Sequence, residues 1–188
     1  MKISIFITLS IFSLQFANGD SSNASINDKD EYIVSHGKVI FGDTDINLAY
    51  EDAIIRSGND IVHYPSSQIE KVAVIDDKTG NVELYHSGSF GLNNRQYLFQ
   101  ILAEGQTTLL YREGLKFSAY EDTEYPPFFI LVNDQVYSLS SDRKEMLKQL
   151  DNSFQKETNN YIKENKLTLS NQEDMIKLFN FYNLMTLE

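Results

Sequence analysis

The stretch KLTLSNQEDMIKLFNFYN, residues 166–183, decides what kind of fold this chain has. Ahead of it lie short β-branched and aromatic runs broken by turn formers. Here Met175, Leu178, Phe179 and Tyr182 recur at i, i+3, i+4 and i+7, the spacing of one helical face. Ser170, with Glu173 three residues on, has the form of a capping box at the start of that helix. Upstream, the period changes at Asp142 with Glu145, and Leu147, Leu150, Phe154 and Tyr161 mark one face of another helix running to residue 165. The last helix carries Glu173 and Asp174 near its start and only Lys177 as a base, so it lacks the cationic face that anionic lipid attracts. Its oily stripe is therefore expected to pack on a β-core.

The runs that would form that core are YIV (32–34), KVIF (38–41), AII (53–55), IVHY (61–64), IEKVAVI (69–75) and VELYH (82–86), followed by QYLFQIL (96–102), TTLLYR (107–112), FFILV (128–132) and QVYSL (135–139). Three pairs read as hairpins: DDKTGN with Gly80 joins the first, AEGQ with Gly105 the second, and Asn133-Asp134 the third, since these residues tolerate left-handed backbone. Segments 97–102 and 128–132 are apolar on both faces, which places them mid-core. The expected fold class is α+β: an antiparallel β-rich body over 32–139 (a meander, a sandwich or a partly open barrel), followed by two C-terminal amphipathic helices in a tail at 140–188 that pack on it. Residues 32–188 form a single domain, and no internal repeat is visible.

Residues 1–19, MKISIFITLSIFSLQFANG, place Lys2 before an apolar run and end in the small pair Ala17 and Gly19, the pattern of a cleaved signal peptide. The run is shorter than the ~20 residues of a spanning helix, so no membrane span is expected after cleavage. DSSNASINDKDE, residues 20–31, reads as a flexible polar leader. The expected localisation is thus exported, either periplasmic or secreted. Across 188 residues, 41% are hydrophobic and cysteine is absent, so the domain must be stabilised by its core and not by disulfides, which favours a bacterial envelope setting. With 16 Lys and Arg against 27 Asp and Glu, the net charge of −11 argues against nucleic acid as a partner.

The order of HYPSSQIEKVAV (63–74), YLFQILAEGQTTLLYR (97–112), FFILVNDQVYSL (128–139) and YIKENKLTLSNQEDMIKLFNFYN (161–183) behind a signal peptide resembles a group of uncharacterised exported proteins of the Bacteroidota. In that group a Tyr-Pro segment precedes a strand, a strand-Gly-strand unit ends in an aromatic-basic pair, and a helix pair finishes in Tyr-Asn. The resemblance spans residues 36–183 and implies export and this fold, with no catalytic residue to carry over. This chain departs from many of those proteins in having no Cys behind its leader.

Motifs for chemistry are sparse. DTDIN (43–47) opens like a calcium loop, but an EF-hand needs Gly and Glu where Leu48 and Ile54 stand, so Asp43, Asp45 and Asn47 read as an ordinary turn before they read as an oxygen cage. Asp76-Asp77 and the acidic run 121–124 read as solvated loops. His36, His63 and His86 lie more than ~20 residues apart with no Cys between them, unlike the short spacings of zinc sites. GSFG (88–91) is not a nucleophile elbow, no P-loop or dinucleotide fingerprint is present, and paired carboxylates decide nothing in so acidic a chain. Eleven tyrosines and no tryptophan fit half-buried strands first and a sugar- or protein-binding surface second. The sequence thus nominates no catalytic, cofactor-binding or metal-ligating residue. The expected function is a non-enzymatic exported module binding a protein or glycan partner at the cell envelope. The alternative is a hydrolase of unrecognised type that uses acidic residues.

Overall fold

The computed structural model describes residues 30–91, 94–116 and 123–186, so the expected signal peptide and most of the expected leader lie outside the described residues. Those described form eleven strands, all paired antiparallel, and three α-helices. The strands are β1 (Tyr32–Ser35), β2 (Lys38–Phe41), β3 (Asp43–Asn47), β4 (Asp52–Ser57), β5 (Asp60–Pro65), β6 (Lys71–Ile75), β7 (Val82–Phe90), β8 (Arg95–Ala103), β9 (Thr108–Tyr111), β10 (Phe128–Val132) and β11 (Gln135–Ser138). The helices are α1 (Arg143–Gln149), α2 (Gln155–Glu164) and α3 (Gln172–Met185). The α+β class, the antiparallel body and the helical tail are as the sequence led us to expect.

An eight-stranded sheet runs in the order β11-β10-β9-β8-β7-β6-β1-β2, and a three-stranded sheet in the order β3-β4-β5. From β6 to β11 the chain is a plain meander; Gly105, expected to supply left-handed backbone between β8 and β9, has no positive φ, whereas the other two expected hairpins each supply their own left-handed residues. Gly80 (φ 68°) does so between β6 and β7, and Asn133 and Asp134 (φ 50° and 60°) between β10 and β11. The half of the sheet from β7 to β11 coils on itself until a Cβ added at Gly88 would stand 2.5 Å from Val136 Cγ2. Of the three arrangements left open by the sequence, the partly open barrel describes this half. Its interior holds Phe99, Leu110, Leu115, Phe129 and Val136, with Phe99 and Phe129 meeting edge to face at 5.1 Å.

The opposite face of the large sheet is covered twice. Toward β1 and β6 the small sheet packs on it through Ile33, Ala53, Ile55, Ile69, Val72 and Leu98. Toward β9 and β10 the helices pack through Leu109, Phe128, Ile130, Met146, Leu150, Ile162, Met175, Leu178, Phe179 and Tyr182. Segments 97–102 and 128–132 are indeed central: Leu98, Phe99 and Phe129 have no exposed area. Burying such side chains contributes about 1.5–3 kcal/mol each.

The tail departs from expectation in having three helices in place of two. After α1 the chain turns through residues 152–154, where the Asp151 carboxylate accepts from Ser153 N at 2.8 Å and resets the helical phase. The buried face upstream is accordingly Met146 and Leu150, then Thr158 and Ile162, while Leu147, Phe154 and Tyr161 are only partly buried. In α3 the stripe Met175, Leu178, Phe179 and Tyr182 is buried as read, but the cap is Asn171, accepting from Asp174 N at 3.0 Å, one residue beyond Ser170. Asn183 then clasps the β8–β9 turn: its side chain accepts from Thr107 N at 3.1 Å and donates to Thr107 O at 2.9 Å. Glycine is required at 105 beneath it, since a Cβ there would meet the Asn183 side chain at 2.2 Å.

Candidate binding face

DTDIN is not a turn. It is strand β3, and the Asp43, Asp45 and Asn47 reading is corrected accordingly: pairing with β4 overrides the turn preference of its acids. Thr44 and Ile46 face inward, while Asp43 and Asp45 face out. Register aligns Asp43, Arg56 and Ile61 across the sheet, then Asp45, Ile54 and His63, then Asn47, Asp52 and Pro65. Arg56 Nη1 lies 2.5 Å from Asp45 Oδ2 and 3.6 Å from Asp43 Oδ2, so both carboxylates of the candidate oxygen cage are shared by a guanidinium. Being exposed, these pairs shape the face more than they stabilise it. Asn47 does start a turn, accepting through Oδ1 from Ala49 N and Tyr50 N. His63 Nδ1 lies 3.5 Å from Asp52 Oδ2, and Asp52 Oδ1 is buried without a hydrogen-bond partner among the described residues.

The face is held in place by two acids that the sequence did not single out. Glu31, at the end of the expected leader, accepts from Thr44 N at 3.0 Å and from Ile75 N at 2.8 Å, tying β3 to β6. Glu51 sits in the β3–β4 turn at φ 56°, a left-handed backbone that non-glycine residues adopt at a cost. Its side chain reaches into the body, where one oxygen accepts from Leu98 N at 2.8 Å and the other from Arg112 Nη2. Arg112 also donates to Leu48 O, and both partners of the pair are more than nine-tenths buried. Burial pushes the Glu51 carboxyl above its usual value, with the Leu98 N–H and then Arg112 partly offsetting the shift. The pair therefore acts as a staple between the two sheets.

The other candidates disperse. His36 lies in the exposed β1–β2 turn, His63 on β5 and His86 on β7, where burial holds its imidazole below the ordinary value against an opposing pull from Asp134. Among the described residues no group of three or more His, Cys, Asp or Glu could hold a metal ion. Asp76 caps its own turn by accepting from Thr79 Oγ1, Thr79 N and Lys78 N, which holds its carboxyl low. Of the acidic run 121–124, the first two residues lie outside the described residues. Lys71 Nζ bonds Glu104 Oε1 at 2.7 Å. Two clefts of about 370 and 470 Å³ carry a single carboxylate each, Asp151 in the first and Asp134 in the second, whereas acid hydrolysis of a glycoside needs two. Tyrosine does not line one surface: Tyr182 is buried, Tyr161 stacks on Phe181 at 3.9 Å, and of the exposed pair Tyr50 lies in the β3–β4 turn and Tyr137 on β11.

What the body leaves open is β5. Ile61 is 62% exposed and Val62 43%, on a strand of which only Tyr64 is even partly buried. No family model matches the chain, and no similar protein was found among curated proteins or solved structures.

Proposed function

We propose that the chain is an exported, non-enzymatic module that binds a protein partner through its small three-stranded sheet. The observation that carries this reading is the exposure of Ile61 and Val62 on a regular strand of the sheet that the Glu51–Arg112 pair fastens to the body. Large apolar side chains on an ordered, pre-positioned surface mark interaction sites, because leaving them in water costs free energy that a partner recovers. Export is supported by the signal pattern of residues 1–19. Cleavage after Gly19 is the expected outcome, so intact-mass measurement on protein from the native host should show a chain starting at Asp20. A mature chain that retains Met1 contradicts export. Turnover of glycosidase, esterase or peptidase substrates that survives repurification would replace the binding module with the hydrolase reading.

A further inference from the structure

We propose that the cleft between the helical tail and β10 binds a small organic ammonium ion, at a site separate from the small sheet. The cleft holds about 370 Å³, within the roughly 300–1,000 Å³ of small-molecule sites. Three parts of the fold build it. Ile130 and Val132 of β10 supply aliphatic lining. Phe154, in the turn between α1 and α2, is partly buried and is braced edge to face by Tyr182 of α3, with ring centroids 6.2 Å apart. Thr186, the C-cap of α3, and Asp151, just past the end of α1, complete the polar side.

The sign of the ligand's charge follows from this lining. Asp151 is its one carboxylate, and no Lys, Arg or His is among the described residues around it. Asp151 stays ionised, because Ser153, through its backbone N–H first and its side chain second, holds the carboxyl below the usual value. A carboxylate has about four acceptor sites, so Asp151 keeps capacity for a ligand after its Oδ1 accepts from Ser153 N at 2.8 Å. The Asp151 N–H in turn donates to the Tyr182 hydroxyl at 3.0 Å, which fixes the acid's backbone against the aromatic pair. α3 ends at the same cleft with no basic residue in its last turn, so the negative end of its dipole adds to the field of Asp151. An ammonium on a hydrocarbon body matches all of this: its charge meets the acid and the Phe154 ring, and its alkyl groups meet Ile130 and Val132. The other ligand classes fit less well. A calcium ion takes 6–8 oxygens and finds a single carboxylate, an anion meets an acid and a helix C-terminus, and a neutral sugar leaves the carboxylate's charge unmatched.

The test titrates the full chain with choline, followed through its amide NMR signals. Two controls run beside it: dimethylbutanol, the uncharged carbon isostere of choline, and sodium chloride at equal ionic strength. Choline should shift the amides of Asp151, Ser153, Phe154 and Thr186 in a saturable way below about 100 mM, and the isostere should bind at least about fivefold more weakly. Asp151→Asn should weaken choline by about fivefold. Its melting temperature should stay within about two degrees of wild type, since asparagine accepts the same Ser153 N–H bond. Phe154→Leu keeps an apolar side chain, removes the ring face, and should weaken choline by about threefold. Equal binding of choline and its isostere overturns the inference, and so does Asp151→Asn binding choline as tightly as wild type. Shifts that sodium chloride reproduces, saturable shifts confined to residues outside the cleft, or no saturation below about 100 mM overturn it as well.

Discussion

Arg112→Met should destabilise the fold by about 3–5 kcal/mol, because it strips the charged partner from a carboxylate that stays buried. Glu51 would keep one hydrogen bond, from Leu98 N, inside a site that already disfavours its charge. The pH dependence follows from the direction of that shift. Glu51 titrates above its ordinary value in the folded protein, so its protonation favours folding. The corresponding stability is fully present below the unfolded value and is lost as pH rises through the folded one. Without Arg112 the folded value rises further, so the defect measured by urea unfolding should be smaller near pH 5 than near pH 8. Adding Glu51→Gln to Arg112→Met should recover part of the loss, giving a coupling energy of about 0.5–3 kcal/mol. Strictly additive losses would mean that the two side chains do not work as a pair.

Phe179→Asp is the second large effect. Phe179 has no exposed area and lies in the cluster where α3 meets the helical layer and the sheet. An aspartate there is an unpaired charge in apolar packing and leaves a cavity, which together cost about 3 kcal/mol or more and lower the melting temperature by roughly 6–12 °C for a chain of this size. Asn171→Asp on the same helix is the control. The cap residue accepts from Asp174 N, and a carboxylate can accept the same bond at a helix N-terminus, so the change should be close to neutral. Equal melting temperatures for Phe179→Asp and wild type would mean that the stripe is not packed.

The contrast between these two sites shows what a single sequence displays. Phe179 was legible because a buried helical face repeats every three or four residues, and the hairpin at Asn133-Asp134 was legible because its turn chemistry is local. β3 was not. Its acids alternate with only two inward residues, Thr44 and Ile46, and what makes it a strand is β4 beside it. The break between α1 and α2 did leave a local trace in Asp151-Asn152-Ser153, a second cap inside what otherwise looked like one helix. Glu51 and Arg112 left none, being 61 residues apart, and a buried ion pair carries no periodicity. The same holds for Glu31, whose polar neighbours disguised a residue that bonds two strands. The free edge of β5 was hidden for the opposite reason: IVHY has the composition of any half-buried strand, and only the sheet order shows that its far side is unpaired.

The claim that ties these sites together is that the small sheet is fastened to the body on one side and open on the other. Native-state hydrogen exchange on the wild-type chain tests it most directly. Amides of Ala53 and Ile55 in β4, Leu98 in β8 and Leu178 in α3 should exchange only through global unfolding, with one common free energy, while those of Ile61 and His63 should exchange with little protection. Early exchange of β4 ahead of β8 and α3 would contradict the fastening, and strong protection of Ile61 and His63 in the isolated protein would contradict the open edge.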